Sequence, residues 1–561
     1  MTEVQGTQID SEILVIGGGA GGLLAALSAK RHSRPGTRVT LVDAHMIGRS
    51  GHTVFSNAWT VVVHPEDDLD AISREIVEGN DWVADQLLVN EVLATSFDRL
   101  KDLETIGIAF PRTEDGRYDR RPTRGLKYTR VQHAVGGGLE FGWRLRQTLE
   151  ELGVRLLDRV FITGLLREPD GDRISGAVGI DGRTGEFYLL PSRATIIATN
   201  ATTFRSGFVR DITGTGTLLA YQAGATLRNA EFSYLRPGTP KFYFEGITFA
   251  IQDGATFVNA HEEEFMNRYE PEWGSEADVP RIARALAAEK AAGNDPIYLD
   301  MSRIPQEKRQ YYFTSMVKWM DMFLSKLGPV ARTDMFGKTP YYPLNQMTKM
   351  AIRTDEYCRS DVNGLLAAGL AQAGAANHFA GFHIGMCIGT GWIAGKSAAE
   401  DIERLNAPKL DLPQVRELRH TSLAVMDPNT KANSDRLLHE LQKMMFSYDV
   451  TVWKSESRLA NALNIQSKLE KQFKELFAPD LHELVRIRET EAMLLASRLI
   501  LEASLMRRES RMSHFREDYD HRDDQEWLCW IDIKAGSQGP EYTKTTIPTP
   551  IYPVVSYHTA V

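Results

Sequence analysis

ILVIGGGAGGLLAALSAKRHSRPGTRVTLVD, residues Ile13 to Asp43, opens with four apolar residues that fit a short buried strand. Gly17, Gly19 and Gly22 follow as GxGxxG, and an Ala/Leu-rich helix is predicted from about Gly21 to Lys30. A second apolar strand, Val39 to Val42, ends in Asp43. Gly17 permits a tight turn, Gly19 lets backbone N–H groups approach a pyrophosphate, and Gly22 lets the helix pack closely on the strand. The helix N-terminus adds partial positive charge facing the phosphates. Asp43 stands 21 residues after Gly22, where a carboxylate can accept hydrogen bonds from a ribose. A glycine-rich turn alone is weak. Strand, glycines, helix, second strand and terminal acid in one run read as a dinucleotide site.

The chain has 561 residues, enough for roughly three or four domains by length. Hydrophobic content of 42% and charged content of 25% suit a soluble globular protein. A formal net charge of −9 argues against nucleic acid as a partner. The mean hydropathy is −0.29, and no window approaches the apolar length of a membrane span. The first twelve residues, MTEVQGTQIDSE, carry no signal-peptide pattern, so a cytoplasmic protein is expected. Cys358, Cys387 and Cys529 lie far apart and supply neither a disulfide framework nor a metal or cluster ligand set.

Beyond Asp43, residues 47–62 turn from small and polar to β-prone, and residues 66–108 carry apolar positions at helical spacing. Residues 111–137 are basic and glycine-bearing, hence loop-like, and Gly142 to Leu152 is a predicted helix. Strands are predicted at Val154–Leu166, Ile174–Ile180 and Glu186–Leu190, with a buried strand at Ala194–Thr199. Residues 226–350 are aromatic-rich, with strand-like FYFEGITFA and ATFVN, then helices from Ile282 to Ala292 and around Tyr311 to Leu327. This texture reads as a second domain inserted into the first. LLAAG, from Leu365 to Gly369, returns to a buried strand, and a helix is predicted to begin near Ile388. Residues 411–512 are largely helical, and the proline-bearing stretch 535–561 reads as an extended tail.

Several of these pieces, in order, resemble the succinate dehydrogenase/fumarate reductase flavoprotein superfamily. VIGGGAGGLLAALSA with RSGHT resembles its FAD-binding start, and TGTGTLLAYQAGA (Thr213 to Ala225) its TGDG and RAGA segment. DGATFVNAHEEEFMNRYEP is similar to its capping-domain element, and NGLLAAGLAQAGAANHFAG occupies the place of "GLYAAGE…GANRLGG". RRESRMSHFREDYDHRDDQEWLC, from Arg507 to Cys529, resembles the family's C-terminal motif. The tail and DLHELVR (Asp480 to Arg486) lean toward adenylylsulfate reductase alpha subunits within that superfamily.

The resemblance implies an α/β fold: a Rossmann-type FAD-binding domain interrupted by an α+β capping domain and followed by a C-terminal helical domain. The boundaries expected are 1–225 and 353–408 for the FAD domain, 226–352 for the cap, 409–534 for the helical domain and 535–561 for the tail. Carried over residue by residue, FAD is expected against Gly17, Gly19, Ala20, Gly22, Asp43 and Ala44. Arg49, Ser50, Gly51, His52, Thr199, Thr213, Gly216, Gly369 and Gly385 complete that set. The resemblance places His52 near a histidine that some members join covalently to FAD. An extra glycine precedes it here, which favours non-covalent FAD.

In fumarate reductases the anionic substrate is clamped by arginines and histidines, and a cap arginine delivers a proton. The resemblance points to Arg284 for that arginine, although Arg281 and Lys290 share its stretch and a solvated helix arginine competes. The clamp departs from the family. His378 replaces the arginine of "GANRLGG", and the "FHPTG" histidine falls near Tyr234 to Arg236, where Arg236 can hold an anion. Asn345 and Gln346 stand where "HYMMGG" would supply a histidine, and Glu245 alone matches the family's TEG. Leu370 stands where the family carries an acid after AAG, so the resemblance implies that one ribitol contact is missing. His378 and His383 are the titratable groups at the predicted flavin–cap junction and the acid/base candidates, with a structural histidine the competing reading for either.

The reading is therefore an FAD-dependent oxidoreductase acting on a small polar or anionic substrate between FAD and cap, with electrons passed to or from a separate iron–sulfur subunit. The alternatives are an adenylylsulfate reductase-like alpha subunit, or a non-catalytic flavoprotein serving electron transfer or as a scaffold. A nicotinamide enzyme fits GxGxxG but not the segments downstream. Whether copies of the chain associate stays open.

Overall fold

The computed structural model describes residues 6–171, 173–206, 212–239, 246–312, 336–377, 379–430 and 434–554. Five parallel strands form the central sheet, in the order Leu365–Ala367, Ala194–Ile197, Ile13–Ile16, Val39–Asp43, Arg155–Asp158. Ile13–Ile16 is buried at every position, as a central strand covered on both faces must be. The helix Ala20–His32 leaves the sheet directly and lies against the long helix Phe382–Asp401, where Ser28 Oγ donates 2.6 Å to the Trp392 carbonyl. Residues far apart in the chain thus build one nucleotide-binding layer.

A four-stranded sheet of Thr7–Gln8, Phe187–Pro191, Ile174–Asp181 and Val160–Arg167 flanks it; the strand expected at Val154–Leu166 is split, with Arg155–Asp158 in the central sheet, and Thr7–Gln8 lies outside the expected strands. The helices predicted within 66–108 are Leu69–Glu78, Gln86–Ala94 and Ser96–Thr105. Residues 111–137 depart from the expected loop. Arg121–Pro122 and Arg130–His133 pair with each other, and Arg130–His133 pairs with Trp59–Val61. The turn between the first two holds Arg124.

In the inserted segment, Ser233–Gly238 pairs with Tyr342–Thr348, and Thr256–Val258, Tyr298–Asp300 and Lys338–Pro340 make a second small sheet. Ile247–Gln252, expected as strand, is helix with Ile247 to Ile251 buried; an unbroken apolar run carries no period to tell the two apart. The helix Val279–Ala291 starts on Asp278, whose carboxylate accepts from Arg281 N at 3.0 Å. The helix expected around Tyr311 to Leu327 lies mostly outside the described residues, which end here with Gln306–Tyr311 and Tyr312. The helix predicted near Ile388 begins six residues earlier, at Phe382, after Gly381 at φ +83°.

Leu412–Leu423, Ser434–Met445, Glu456–Phe473 and Leu481–Met506 make the C-terminal region largely helical. The expected boundary at 535 falls inside a hairpin of Cys529–Gly536 and Gly539–Thr546, so the first part of the expected tail is sheet, and 555–561 lie outside the described residues. Its first strand pairs with Leu227–Arg228, which also pairs with Ala351–Ile352. Arg228 meets Asp532 there in a buried two-bond pair of 2.7 and 3.1 Å.

Candidate active site at the junction of groove and cap

The carboxyl ends of the parallel strands open onto a groove of about 960 Å³. Gly17 turns the chain at φ +115°, and a Cβ there would lie 2.5 Å from the Ala198 carbonyl oxygen. Gly18 N donates 2.6 Å to one oxygen of Asp43, and His45 N donates 2.7 Å to the other, so the carboxylate is fixed at the groove wall. Gly19, Ala20, Ala44, Ser50, Gly51 and His52 line the groove beside Gly17 and Asp43. Thr199, Thr213, Gly216 and Gly369 line its other side. The hydroxyl of Thr199 is buried there with no hydrogen-bond partner among the described residues. A polar ligand along this groove would satisfy it.

Three expected contacts do not line the groove. Gly22 packs beneath it, where a Cβ would lie 1.7 Å from the Gly17 carbonyl oxygen. Arg49 stacks its guanidinium 4.2 Å over the Trp143 ring. Gly385 faces Thr60 and Val61 on the long helix. Among the lining residues outside the expected set is Glu489, 2% exposed on Leu481–Met506, which reaches the groove and forms an ion pair with Arg205.

His52, Thr53, Asn200, Leu370 and Cys387 also line a second cavity, of about 990 Å³, under the cap. The two cavities therefore share one wall. Arg124, Tyr234, Arg236 and His383 face this second space. Arg124 is 6% exposed; its Nε donates 2.9 Å to Thr248 Oγ1, and its Nη1 is buried with no partner among the described residues. Burial, chiefly, with the neighbouring Arg236 charge, pushes its pKa down. A guanidinium stays charged in a protein, so an anion is the complement to this site. Sequence reasoning passed over Arg124 because it sits in a segment read as basic loop.

Behind the wall, Lys349 is 5% exposed, and its Nζ lies 2.9 Å from His383 Nε2. The Tyr234 ring meets His383 edge-on at 4.7 Å and lies 5.1 Å from the lysine nitrogen. Burial pulls the Lys349 ammonium down to about 7, against a smaller opposing effect of Cys387. Trp59 packs between Phe249 and His133, with centroids at 4.1 and 4.5 Å.

Arg284 is not brought to this cavity. It stacks 4.3 Å over Phe515 and lines a separate space between the cap and the C-terminal region. The helix Val279–Ala291 turns that face toward Phe515 instead. Glu245 and His378 lie outside the described residues, as do the side chains of Asn345 and Gln346. Leu370 stands in the wall shared by both cavities.

The FAD binding domain family model matches residues 12–383, and the fumarate reductase flavoprotein C-terminal model matches residues 438–554. The chain belongs to the succinate dehydrogenase/fumarate reductase flavoprotein superfamily. It is an FAD-dependent oxidoreductase. One subunit of the fumarate reductase (CoM/CoB) of Methanothermobacter marburgensis is 28% identical over 545 residues, 91% of this chain and 94% of that one. A fumarate reductase flavoprotein subunit of Mycobacterium tuberculosis is 26% identical over 570 residues, 94% of this chain and 95% of that one. An E. coli quinol fumarate reductase flavoprotein superimposes with TM-score 0.87 at 21% identity, over 98% of this chain and 99% of that one. Adenylylsulfate reductase of Archaeoglobus fulgidus superimposes with TM-score 0.83 at 22% identity, over 99% and 98%. These two share the fold of this flavoprotein. No helix among its described residues is long and apolar enough to cross a membrane.

Proposed function

We propose that this flavoprotein oxidises or reduces a small anionic substrate held in the cap cavity, beside FAD in the groove. Bound FAD would supply two-electron chemistry, and the chain would supply charge, orientation and protons. The observation that carries the reading is the pair Arg124 and Arg236 facing one cavity, with a buried guanidinium nitrogen of Arg124 lacking a protein partner among the described residues. Two cations on opposite segments, one before the cap and one within it, suit a carboxylate or similar anion. The bond from Arg124 to Thr248 supports an arginine already set for binding.

FAD is held without a covalent link in this reading, with His52 at the wall where groove and cavity meet. Electrons pass to or from a separate iron–sulfur subunit in the cytoplasm; relatives named as subunits support a multi-chain assembly.

Anaerobic titration of the FAD-loaded protein with malonate, a short dianion, tests the site through the flavin absorption. A saturable spectral shift that weakens in Arg124→Met and Arg236→Met is expected. No shift, or shifts in both variants equal to that of the natural chain, would remove the cavity as the substrate site.

A further inference from the structure

We infer that the anion held in the cap cavity is a monocarboxylate with a flat apolar body that bears a hydroxyl, rather than a short dicarboxylate; this rests on reading that cavity as the substrate site. Among the described residues lining the cavity, Asn57, Trp59 and Arg124 each bury a side-chain polar atom that has no hydrogen-bond partner. The atoms are Asn57 Oδ1, Trp59 Nε1 and Arg124 Nη1. A buried polar atom left unmet is costly, and a ligand that meets it recovers that cost. Together the three describe a ligand. The guanidinium calls for a carboxylate, the indole N–H for an acceptor and the amide oxygen for a donor. A hydroxyl accepts and donates at once.

All three residues belong to one small sheet. Trp59 opens the strand Trp59–Val61 and pairs with His133 in Arg130–His133, which pairs in turn with Arg121–Pro122. Arg124 lies in the turn between those last two strands. Asn57 stands two residues before Trp59, and Ala58 between them is 2% exposed and held at φ +50°. That conformation strains any residue with a Cβ, and strain of this kind collects at binding sites.

The apolar side follows from how Trp59 packs. Phe249 covers one face of its ring and His133 the other, with centroids at 4.1 and 4.5 Å. The edge, where Nε1 lies, is what remains for the cavity. Phe249, Ile247, Val131, Leu370 and Ile384 line the same space. Thr248 and Phe249 are consecutive in Ile247–Gln252: the first accepts from Arg124, and the second meets Trp59. One short helix thus sets the carboxylate contact beside the apolar wall.

Both cations serve one end of the cavity, since the Arg236 charge is near enough to oppose that of Arg124. One carboxylate meets them. A second carboxylate laid against the apolar side chains would lose its water without a partner, whereas a flat ring gains by leaving water.

Flavin-monitored titration of the FAD-loaded protein with malonate, phenylacetate and para-hydroxyphenylacetate tests this. Phenylacetate is expected to bind roughly 10–100-fold tighter than malonate, the worth of burying one ring. Its para-hydroxy derivative is expected to bind about 3–10-fold tighter again, the worth of a hydrogen bond. Trp59→Phe keeps a ring and removes the N–H, so it is expected to erase the difference between the two ring-bearing anions and leave phenylacetate binding unchanged. A tryptophan that only packs would leave the preference for the hydroxyl intact in that variant, which would overturn the inference. If Trp59→Phe fails to hold FAD, the order of the three anions on the natural chain decides. Malonate binding as tightly as the ring-bearing anions, and still weakened by Arg124→Met, would sink the inference and leave the substrate site standing. No flavin shift with any of the three, or shifts untouched by Arg124→Met, would remove both.

Discussion

Arg124 reaches across from the FAD half of the molecule and donates 2.9 Å from Nε to the Thr248 hydroxyl of the cap. That single bond orients a buried guanidinium toward the cavity and links two parts of the fold around it. Arg124→Met should weaken malonate binding by roughly 10–100-fold, the worth of a charge-assisted hydrogen bond. Thr248→Val should cost less, about 3–10-fold, since it disturbs the aim and not the charge. Flavin-monitored titration ranks the two, and an equal or larger loss in Thr248→Val would contradict the clamp.

Gly22→Ala would put a methyl group 1.7 Å from the Gly17 carbonyl oxygen, so the first helix must move off the first strand. Loss of FAD from the purified protein is expected, with a stability drop of about 3 kcal/mol or more. Absorbance at the flavin bands and the denaturant midpoint report the two effects separately.

His52 stands in the wall common to groove and cavity, and no covalent bond to FAD is expected there. Acid denaturation should leave all yellow colour in the supernatant. His52→Ala should retain stoichiometric FAD after gel filtration, and pellet-bound flavin in the natural chain would reverse the assignment.

Stability should fall on the acid side. Burial pulls His133 down to about 4 and lowers His64 and His514 as well. Between about pH 6.5 and 4 the unfolded chain binds more protons than the folded one, so stability is lost as pH drops through that window. Lys349 and Lys454, both drawn down to about 7 by burial, carry a cost that is full below pH 7 and fades toward about 10.5. Stability should therefore also rise from pH 7 to 8.5. Burial pushes the Cys387 thiol up to about 12 and the Cys358 thiol higher still. Unfolded thiols ionise at lower pH, which offsets the lysine gain and levels the trend above about 9. Urea midpoints from pH 4 to 10 should trace this rise and levelling, with a shallower acid limb in His133→Phe.

The end of the chain is anchored by Gln86, whose Oε1 accepts from Ile551 N and Tyr552 N at 3.0 and 2.9 Å while Nε2 donates 3.0 Å to the Tyr552 carbonyl. The Tyr552 ring is buried against Val77 and Trp82, with the Arg74 guanidinium 4.6 Å over it. Tyr552→Ala should cost about 3 kcal/mol and expose residues beyond 546 to protease. Limited proteolysis with mass detection reads the cut site.

Local chemistry made the groove legible: between Ile13 and Asp43 the strand, glycines, helix and acid all act on near neighbours, so spacing alone carried them. The cap cavity was half legible. Tyr234, Arg236 and His383 do face one space, but Arg124 arrives by a turn that exists only once Arg121–Pro122 and Arg130–His133 pair. Lys349 was overlooked because a lysine ordinarily reads as surface, and its burial depends on His383, 34 residues on. Arg284 misled in the opposite way: its helix was foreseen, but its partner Phe515 comes from the far end of the chain.

The hairpin at Cys529–Thr546 pairs with Leu227–Arg228 on the way into the cap, and that strand pairs on its other side with Ala351–Ile352 on the way out. During synthesis the cap is made long before the residues that fasten its base. Arg228 waits for Asp532, some three hundred positions later, before its buried charge is met. The cap and nucleotide layer can form while the chain is still emerging, but they are fastened together last. A ribosome stalled anywhere before residue 529 would hold a chain whose cap-base strands, Leu227–Arg228 and Ala351–Ile352, pair as strands only with each other, so the last strand of that base is laid down in the final seconds of translation.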